Sequence, residues 1–555
     1  MAGSTITMKM LIIPNSCGAQ NLDTFASRRK TLRLCCISSS VTAAATACCS
    51  PSFQLQHAPP RRSGNYGPSL WDFDYIQSLN TQYAEERYLR RASELKVEVK
   101  KILVQEKELS TVEELLGLID DLHRLGISYH FEDEMNQMLG CLYEQKYAGG
   151  KNNSEGKERD LYTTALAFRL LRHHGFSVPQ EVFDCFRNEK GDFDPNLGND
   201  TKGLLQLYEA SFLSTPGEKT LDLAREFATN FLQKYPNGKI DENLSLLVCH
   251  ALELPIHWRV ERPNARWFIE AYEKRPDGNP LLLELAKLDF NIVQATHQQE
   301  LKHVYEWWKQ TGLAEKLPFA RDRMVECYFW TIGCFFHPED GYRRIIIAKL
   351  NALITVIDDI FDVYGTLQEL QLFNNAIQRT YLQEAEWYFT GYTPTLEEYM
   401  NNAWISISAP LTLSHTYFVV ANPIESEVAG SLHKYQDVVR YSGTILRLAD
   451  DLGTSQAEME RGDVAKAVEC YMNERGGSRE EAEEYVRYLI DETWKKMNEG
   501  VAVAADDSAF LQDFVRIAAD IGRTAQYFYQ HGDGHGIQTP QIKQNIPTLL
   551  FQPIF

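Results

Sequence analysis

Residues 350–366 read LNALITVIDDIFDVYGT, an apolar run that ends among three acids, Asp358, Asp359 and Asp362. The spacing predicts a helix on which Asp358 and Asp362, four apart, share a face, with Asp359 one residue to the side. Carboxylates crowded this way repel one another and resist burial unless a cation neutralises them. Oxygen donors that leave waters in place suit Mg2+ or Mn2+, ions that commonly hold a substrate phosphate as well. Taken alone, a DDxxD pattern is read more readily as a solvated acidic helix face. Two other features reverse that reading.

The first is LRLADDLGTSQAE, residues 446–458. On a helix Asp450, Thr454 and Glu458 fall at i, i+4 and i+8, one stripe of two carboxylates and a hydroxyl, with Asp451 beside it as support. That is a second oxygen set for a hard cation. The second feature is basic: Arg321 and Arg323 in FARDRM, Arg447 just before the second acidic group and Lys466 just after it. Guanidinium forks match phosphate oxygens, so two acidic metal sites with cations nearby describe a pocket for a diphosphate.

DDIFD, DDLGTSQAE, the RDR triplet and the upstream RRSGNYGPSLW together resemble plant class I terpene synthases of the monoterpene type, in the family's order, from Arg61 to Phe555. The resemblance implies an all-α fold of two helical domains, an α-barrel over 61–275 and a metal-binding bundle over 276–555. It further implies three divalent ions, Mg2+ or Mn2+, geranyl diphosphate as substrate, and a monomer. The α-barrel is related to class II cyclases, whose acid is a DxDD group. Here Asp72-Phe73-Asp74-Tyr75 and Asp192-Phe193-Asp194-Pro195 both lack the last Asp, so no chemistry is assigned to that domain.

The rest of the chain agrees with this organisation. A length of 555 residues exceeds one ordinary core. A net charge of -20 argues against nucleic acid or an anionic membrane as partner. No apolar run reaches eighteen residues, so no transmembrane segment is expected. From about Trp71 to about Pro280 amphipathic helices follow one another, with breaks at Gly149-Gly150, Pro195, Pro216-Gly217, Pro236-Asn237-Gly238 and Pro263. RPDGNP, residues 275–280, reads as a linker, and helical periodicity then runs to about Tyr529.

Residues 1–60 stand apart: Lys9, Arg28, Arg29, Lys30 and Arg33 are set against a single acid, Asp23, among many Ser, Thr and Ala. That is the composition of a transit peptide, and the resemblance makes its destination the plastid stroma. Five of the eleven cysteines lie in this segment; the other six are scattered without CxxC spacing and are expected as reduced, mostly buried thiols. Arg61-Arg62, with Trp71 beyond a spacer rich in Gly, Pro and Ser, offers two cations on a flexible arm with an aromatic anchor. In the family this pattern belongs to an N-terminal strand that helps close the site.

Trp330, in the aromatic run CYFWTIGCFF, is either core or pocket wall; as wall its face would stabilise a carbocation without offering a nucleophile. Tyr529 resembles the family's pocket tyrosine, and HGDGHG after it the capping loop. His531, Asp533 and His535 are read as part of that lid and not as a zinc set, since no Cys or third His completes one.

One departure is large. Asp362 and Asp450 stand 88 positions apart, fewer than is usual in the family, and after QLFNNAIQR, ending at Arg379, the text passes directly to TYLQEAEWYFTGYTP. About fifty residues are missing, some three to four helices at a mean of about twelve residues each. Those helices should build part of the pocket wall, so this chain is expected to be impaired while its full-length parent makes a monoterpene. Prenyl-chain elongation is disfavoured because the second motif is not a DDxxD, and a sesquiterpene synthase by the transit peptide and the RR-to-Trp pattern.

Overall fold

Local signals place the helix starts. Thr111, Thr395 and Ser478 each accept from the backbone N–H three residues on, while Glu114, Glu398 and Glu481 reach back to the cap, closing capping boxes ahead of helices Val112–Arg124, Leu396–Ser406 and Arg479–Ala504. Asn279 caps the longest helix, Pro280–Thr311, with Pro280 at the first helical position, where its missing N–H costs nothing, and Gly312 closes it at a φ of 63°. Pro263 does not break the chain as expected: it lies in the first turn of Glu261–Glu273, where no intrahelical donor is required.

The computed structural model describes residues 61–109, 111–147, 160–234, 241–374, 379–420, 432–505, 507–536 and 539–555. The expected transit peptide and the breaks at 149–150 and 236–238 lie outside them. The fold is all-helical. Among the described residues the only β pairing is two isolated bridges, Arg187 with Phe193 and Gln530 with Gly532. The segment carrying Arg61 and Arg62 is therefore not a paired strand, and at Asn65 it turns through a φ of 49°.

One apolar core runs from Ile76 through Leu122 and Phe168 into Leu282 and Tyr328, and on to Leu550 and Ile554, so it crosses the RPDGNP linker without a seam. A second gathers Tyr399, Leu413, Ile445, Trp494, Phe514 and Ile521. Each large side chain buried here contributes about 1.5–3 kcal/mol relative to an exposed one. Helix Gly341–Asp359 touches both cores, through Ala352 and Ile347. A third, small cluster of Phe361, Leu370, Tyr381 and Ala385 joins the chain before residue 375 to the helix Arg379–Thr390 that follows.

Two glycines set how closely the neighbours approach helix Gln436–Arg461. A Cβ on Gly443 would lie 2.6 Å from the Trp404 carbonyl, and one on Gly453 would lie 2.8 Å from the Tyr529 carbonyl. Of the six cysteines expected to be mostly buried, Cys327, Cys334 and Cys470 are, whereas Cys141, Cys185 and Cys249 sit on outward surfaces. No helix among the described residues is long and apolar enough to cross a membrane.

Candidate active site

The first acidic helix does not end as a regular α-helix. It runs to Asp359, and residues Ile360–Tyr364 continue as one π turn, closed by the Gly365 N–H on the Ile360 carbonyl at 2.8 Å. Such turns are rare and concentrate at functional positions. Asp358 and Asp362 both line a cavity. Asp359 points away, fully buried, and engages Arg321: its Oδ2 accepts the Arg321 backbone N–H at 2.6 Å, and its Oδ1 lies 2.9 Å from Nε. Arg321 Nη2 donates to Asp358 at 2.5 Å. One guanidinium thus spans the first two acids, and Arg321 itself lines the cavity.

The second acidic helix, Gln436–Arg461, carries the expected stripe intact. Asp450, Thr454 and Glu458 all line the same cavity as Asp358 and Asp362, so the two oxygen sets face a common space despite the short connection between them. Arg447 pairs with Asp450 and, at 2.7 Å, with the fully buried Asp451. Lys466, 3% exposed, stands 3.8 Å from Glu458 and 4.0 Å from Glu384. Burial pushes Asp450 up to about 7, against the pull of Arg447, and Glu458 adds to the rise. Burial likewise raises Asp362 well above the carboxylate range, with Asp358 next in effect.

These acids need more positive charge than the protein supplies to remain ionised. Among the described residues no three His, Cys, Asp or Glu side chains close on one point to hold an ion by themselves. The arrangement fits ions shared between protein oxygens and a second anionic partner in the cavity. Thr454 supports the fit: its hydroxyl is buried, lines the cavity and has no hydrogen-bond partner.

Arg323 departs from the expected role. It does not line the cavity; its guanidinium donates to the carbonyls of Gly67 at 3.3 Å, His535 at 3.2 Å and Gly536 at 3.0 Å. It pins the N-terminal segment to the loop after Tyr529, because an arginine fork 2% exposed satisfies its donors on whatever acceptors surround it. In that loop Asp533 accepts the His535 and Gly536 N–H groups at 3.1 and 2.6 Å, a turn-forming role. His535 lines the cavity with Nε2 3.3 Å from the Thr355 hydroxyl, and burial, with Arg321 and Arg323 beside it, lowers its pKa to about 3.

The tandem arginines straddle the shortened region. Arg61 reaches the Tyr364 carbonyl at 3.1 Å and forks onto Glu369, while Arg62 lies 3.9 Å over the Tyr388 ring. Trp71 donates to Glu326 at 2.9 Å. Trp330 and Tyr529 both line the cavity, with Trp330 stacked on Phe528 at 4.8 Å. Sequence reasoning passed over Tyr66, whose ring lies 4.9 Å under Arg321, and Asp463, Tyr381 and Ser408, all of them lining residues. Tyr66 carried a signal, as the aromatic midway between Arg62 and Trp71. Tyr381 and Ser408 carried none, since only the packing of Tyr381 on Phe361 and its 2.7 Å hydrogen bond to Ser408 bring them in.

In this all-helical protein two oxygen-bearing helices share one cavity with Arg321, Arg447 and Lys466, an arrangement that suits a metal-bound anion. The sequence model for the terpene synthase N-terminal domain matches residues 70–252, and that for the terpene synthase family metal-binding domain matches 309–380 and 378–496. The chain belongs to the terpene synthase family. It is 51% identical to cineole synthase 1, chloroplastic, of Salvia fruticosa, covering 88% of this chain and 90% of that protein. It is 47% identical to (-)-alpha-terpineol synthase of Vitis vinifera, covering 89% and 91%. Among solved structures, limonene synthase with 2-fluorolinalyl diphosphate superposes with a TM-score of 0.84 at 46% identity, over 89% of this chain and all of that one. Isoprene synthase from grey poplar, in complex with three Mg2+ ions and dimethylallyl-S-thiolodiphosphate, gives 0.77 at 38%, over 87% and 99%.

The metal-binding match is in two pieces that meet at residues 378–380, where QLFNNAIQR passes directly to TYLQEAEWYF. The cineole synthase alignment spans 545 positions but draws on 88% of 555 residues, about 488, leaving roughly 57 positions without a residue of this chain.

Proposed function

We propose that this protein is a monoterpene synthase that ionises geranyl diphosphate with Mg2+ or Mn2+, three ions in all, and converts the allylic cation to an acyclic or cyclic monoterpene or monoterpene alcohol. The observation that carries the reading is the convergence of Asp358, Asp362, Asp450, Thr454 and Glu458 on one cavity with Arg321, Arg447 and Lys466. Those five side chains would hold the ions, which when bound act as Lewis acids on the departing diphosphate. Arg321, Arg447 and Lys466 take up its negative charge as the C–O bond breaks, stabilising a leaving group from fixed positions. Arg323 organises the lid and leaves phosphate contact to the other three.

Trp330 and Tyr529 offer aromatic faces to the cation, while Arg61, Arg62, Trp71 and the His535 loop exclude water until quenching. The plastid stroma, suggested by the composition of residues 1–60 and by a relative named chloroplastic, is the proposed location, and the monomer the working form.

A second reading, that this chain is an impaired isoform, is favoured by the two-piece match at 378–380. The test is to supply geranyl diphosphate and Mg2+ to the full chain and to a version carrying about fifty relative-derived residues at that junction, following diphosphate release and volatiles. Turnover by the restored version alone supports the family chemistry and the impaired isoform. Equal turnover by both removes the second reading, and failure of both with geranyl diphosphate but success with farnesyl diphosphate reassigns the substrate.

A further inference from the structure

Asp451 is where the two cations of the second acidic side are tied together. Its carboxylate is fully buried and does not line the cavity. Donors from three elements converge on it: the Tyr399 hydroxyl at 2.9 and 3.1 Å, the Ala467 backbone N–H at 3.0 Å and Arg447 Nη2 at 2.7 Å. Arg447 lies one turn back on the same helix. Ala467 opens helix Ala467–Arg475 and directly follows Lys466. A shift of this carboxylate therefore moves Arg447 through its side chain and Lys466 through the backbone of its neighbour.

Tyr399 approaches from the far side, on helix Leu396–Ser406, with no exposed surface and no place on the cavity wall. We propose that Tyr399 is a positioning residue: by holding Asp451 from behind, it sets where Arg447 and Lys466 stand toward a bound diphosphate. This rests on the diphosphate reading above and names a residue that acts through others. Without the hydroxyl, the Asp451 carboxylate loses one of its donors and turns toward those that remain. Arg447 is then drawn inward, away from the cavity. Tyr399 also lies beyond the 378–380 junction, so the docking of the chain after the junction is felt at the anion site through one hydroxyl.

The experiment titrates inorganic diphosphate into the full chain at fixed Mg2+ by calorimetry and records the thermal midpoint, for the parent, Tyr399→Phe, Asp451→Asn and the double variant. Tyr399→Phe is expected to bind about tenfold more weakly, the scale of one hydrogen bond to a buried charge. Asp451→Asn, which keeps an acceptor for Ala467 but drops the charge facing Arg447, should weaken binding at least as much. Because both act through one carboxylate, the double variant should bind no more weakly than Asp451→Asn. Parent-like binding in Tyr399→Phe, with only a lowered midpoint, would reduce Tyr399 to packing and overturn the inference. Should Tyr399→Phe fail to fold, parent-like binding in Asp451→Asn does the same. A parent that binds no diphosphate with Mg2+ overturns the diphosphate reading itself.

Discussion

The indole N–H of Trp71 donates to Glu326 Oε1 across 2.9 Å, joining the N-terminal segment to the helix Met324–Cys334 that carries Trp330. The N-terminal segment is thereby attached to a helix of the cavity wall as well as through Arg61 to Glu369 and through Arg323 at Gly67. Trp71→Phe removes this donor from a carboxylate that is 1% exposed, at a cost of about 1–3 kcal/mol. Urea denaturation should show that loss, and limited proteolysis should cut residues 61–70 sooner. An unchanged digestion pattern would mean that Arg61 and Arg323 hold the segment without Trp71.

Among the described residues Arg321 is the sole guanidinium on two acids of unequal burial, Asp359 with no exposed side chain and Asp358 one-third exposed. Arg321→Ala leaves the buried Asp359 carboxylate with the residue 321 backbone N–H but without its counter-ion, which is expected to cost about 3–5 kcal/mol in equilibrium unfolding. Asp358→Asn removes the more solvated partner and should cost about 1 kcal/mol or less. Equal losses in the two variants would show that the pair is not divided as the geometry divides it.

Thr454 should separate metal binding from folding. Its hydroxyl is buried without a hydrogen-bond partner, so Thr454→Ala removes an unsatisfied group and should leave the thermal midpoint of the ion-free protein within a few degrees of the parent. The upward shift produced by Mg2+ with inorganic diphosphate should shrink by about half or more, because ligand linkage scales with affinity, and Thr454→Ser should restore it. A full shift in Thr454→Ala would remove Thr454 from the metal set.

Acid sensitivity should track buried histidines. Burial, aided by Arg523, lowers His257 to about 3 from 6.5, against a hydrogen bond to Asn498 that favours the charged form. Below about pH 6.5 the unfolded chain takes up a proton here that the folded chain refuses, so this contribution is complete above 6.5 and declines as pH falls toward 3. Unfolding free energy measured between pH 6 and pH 4 should lose about 1.4 kcal/mol per unit from this group. His257→Gln should flatten the slope by that amount. His123 and His250, also lowered to about 3 chiefly by burial, keep the remainder of the slope in place.

The helices and both acidic stripes were legible in the sequence because they depend on local periodicity. Asp450, Thr454 and Glu458 share a face wherever residues 446–458 are helical, and capping residues such as Thr395 and Ser478 act within their own first turn. DDIFD announced its acids but not the π turn, which depends on how Gly365 fits beneath Leu370: a Cβ there would come within 2.4 Å of Leu370 Cδ2. Arg323 shows the limit of charge reading. It shares a triplet with Arg321, yet its guanidinium faces the carbonyls of Gly67 and Gly536, partners more than two hundred residues away in sequence.

By itself, the sequence determined the all-helical class, the two oxygen-donor stripes, the family resemblance and the junction after Arg379, since each is a matter of spacing and order along the chain. Tertiary structure alone decided that the two stripes still face one cavity across a shortened connection. It also divided the four cations into three that line the cavity and one that joins the loop after Tyr529 to the N-terminal segment, and it placed Tyr399 behind Asp451. The physical reason is that these outcomes depend on which groups are buried against which. A buried charge takes the nearest acceptors that packing offers, and packing is settled by contacts far apart in sequence.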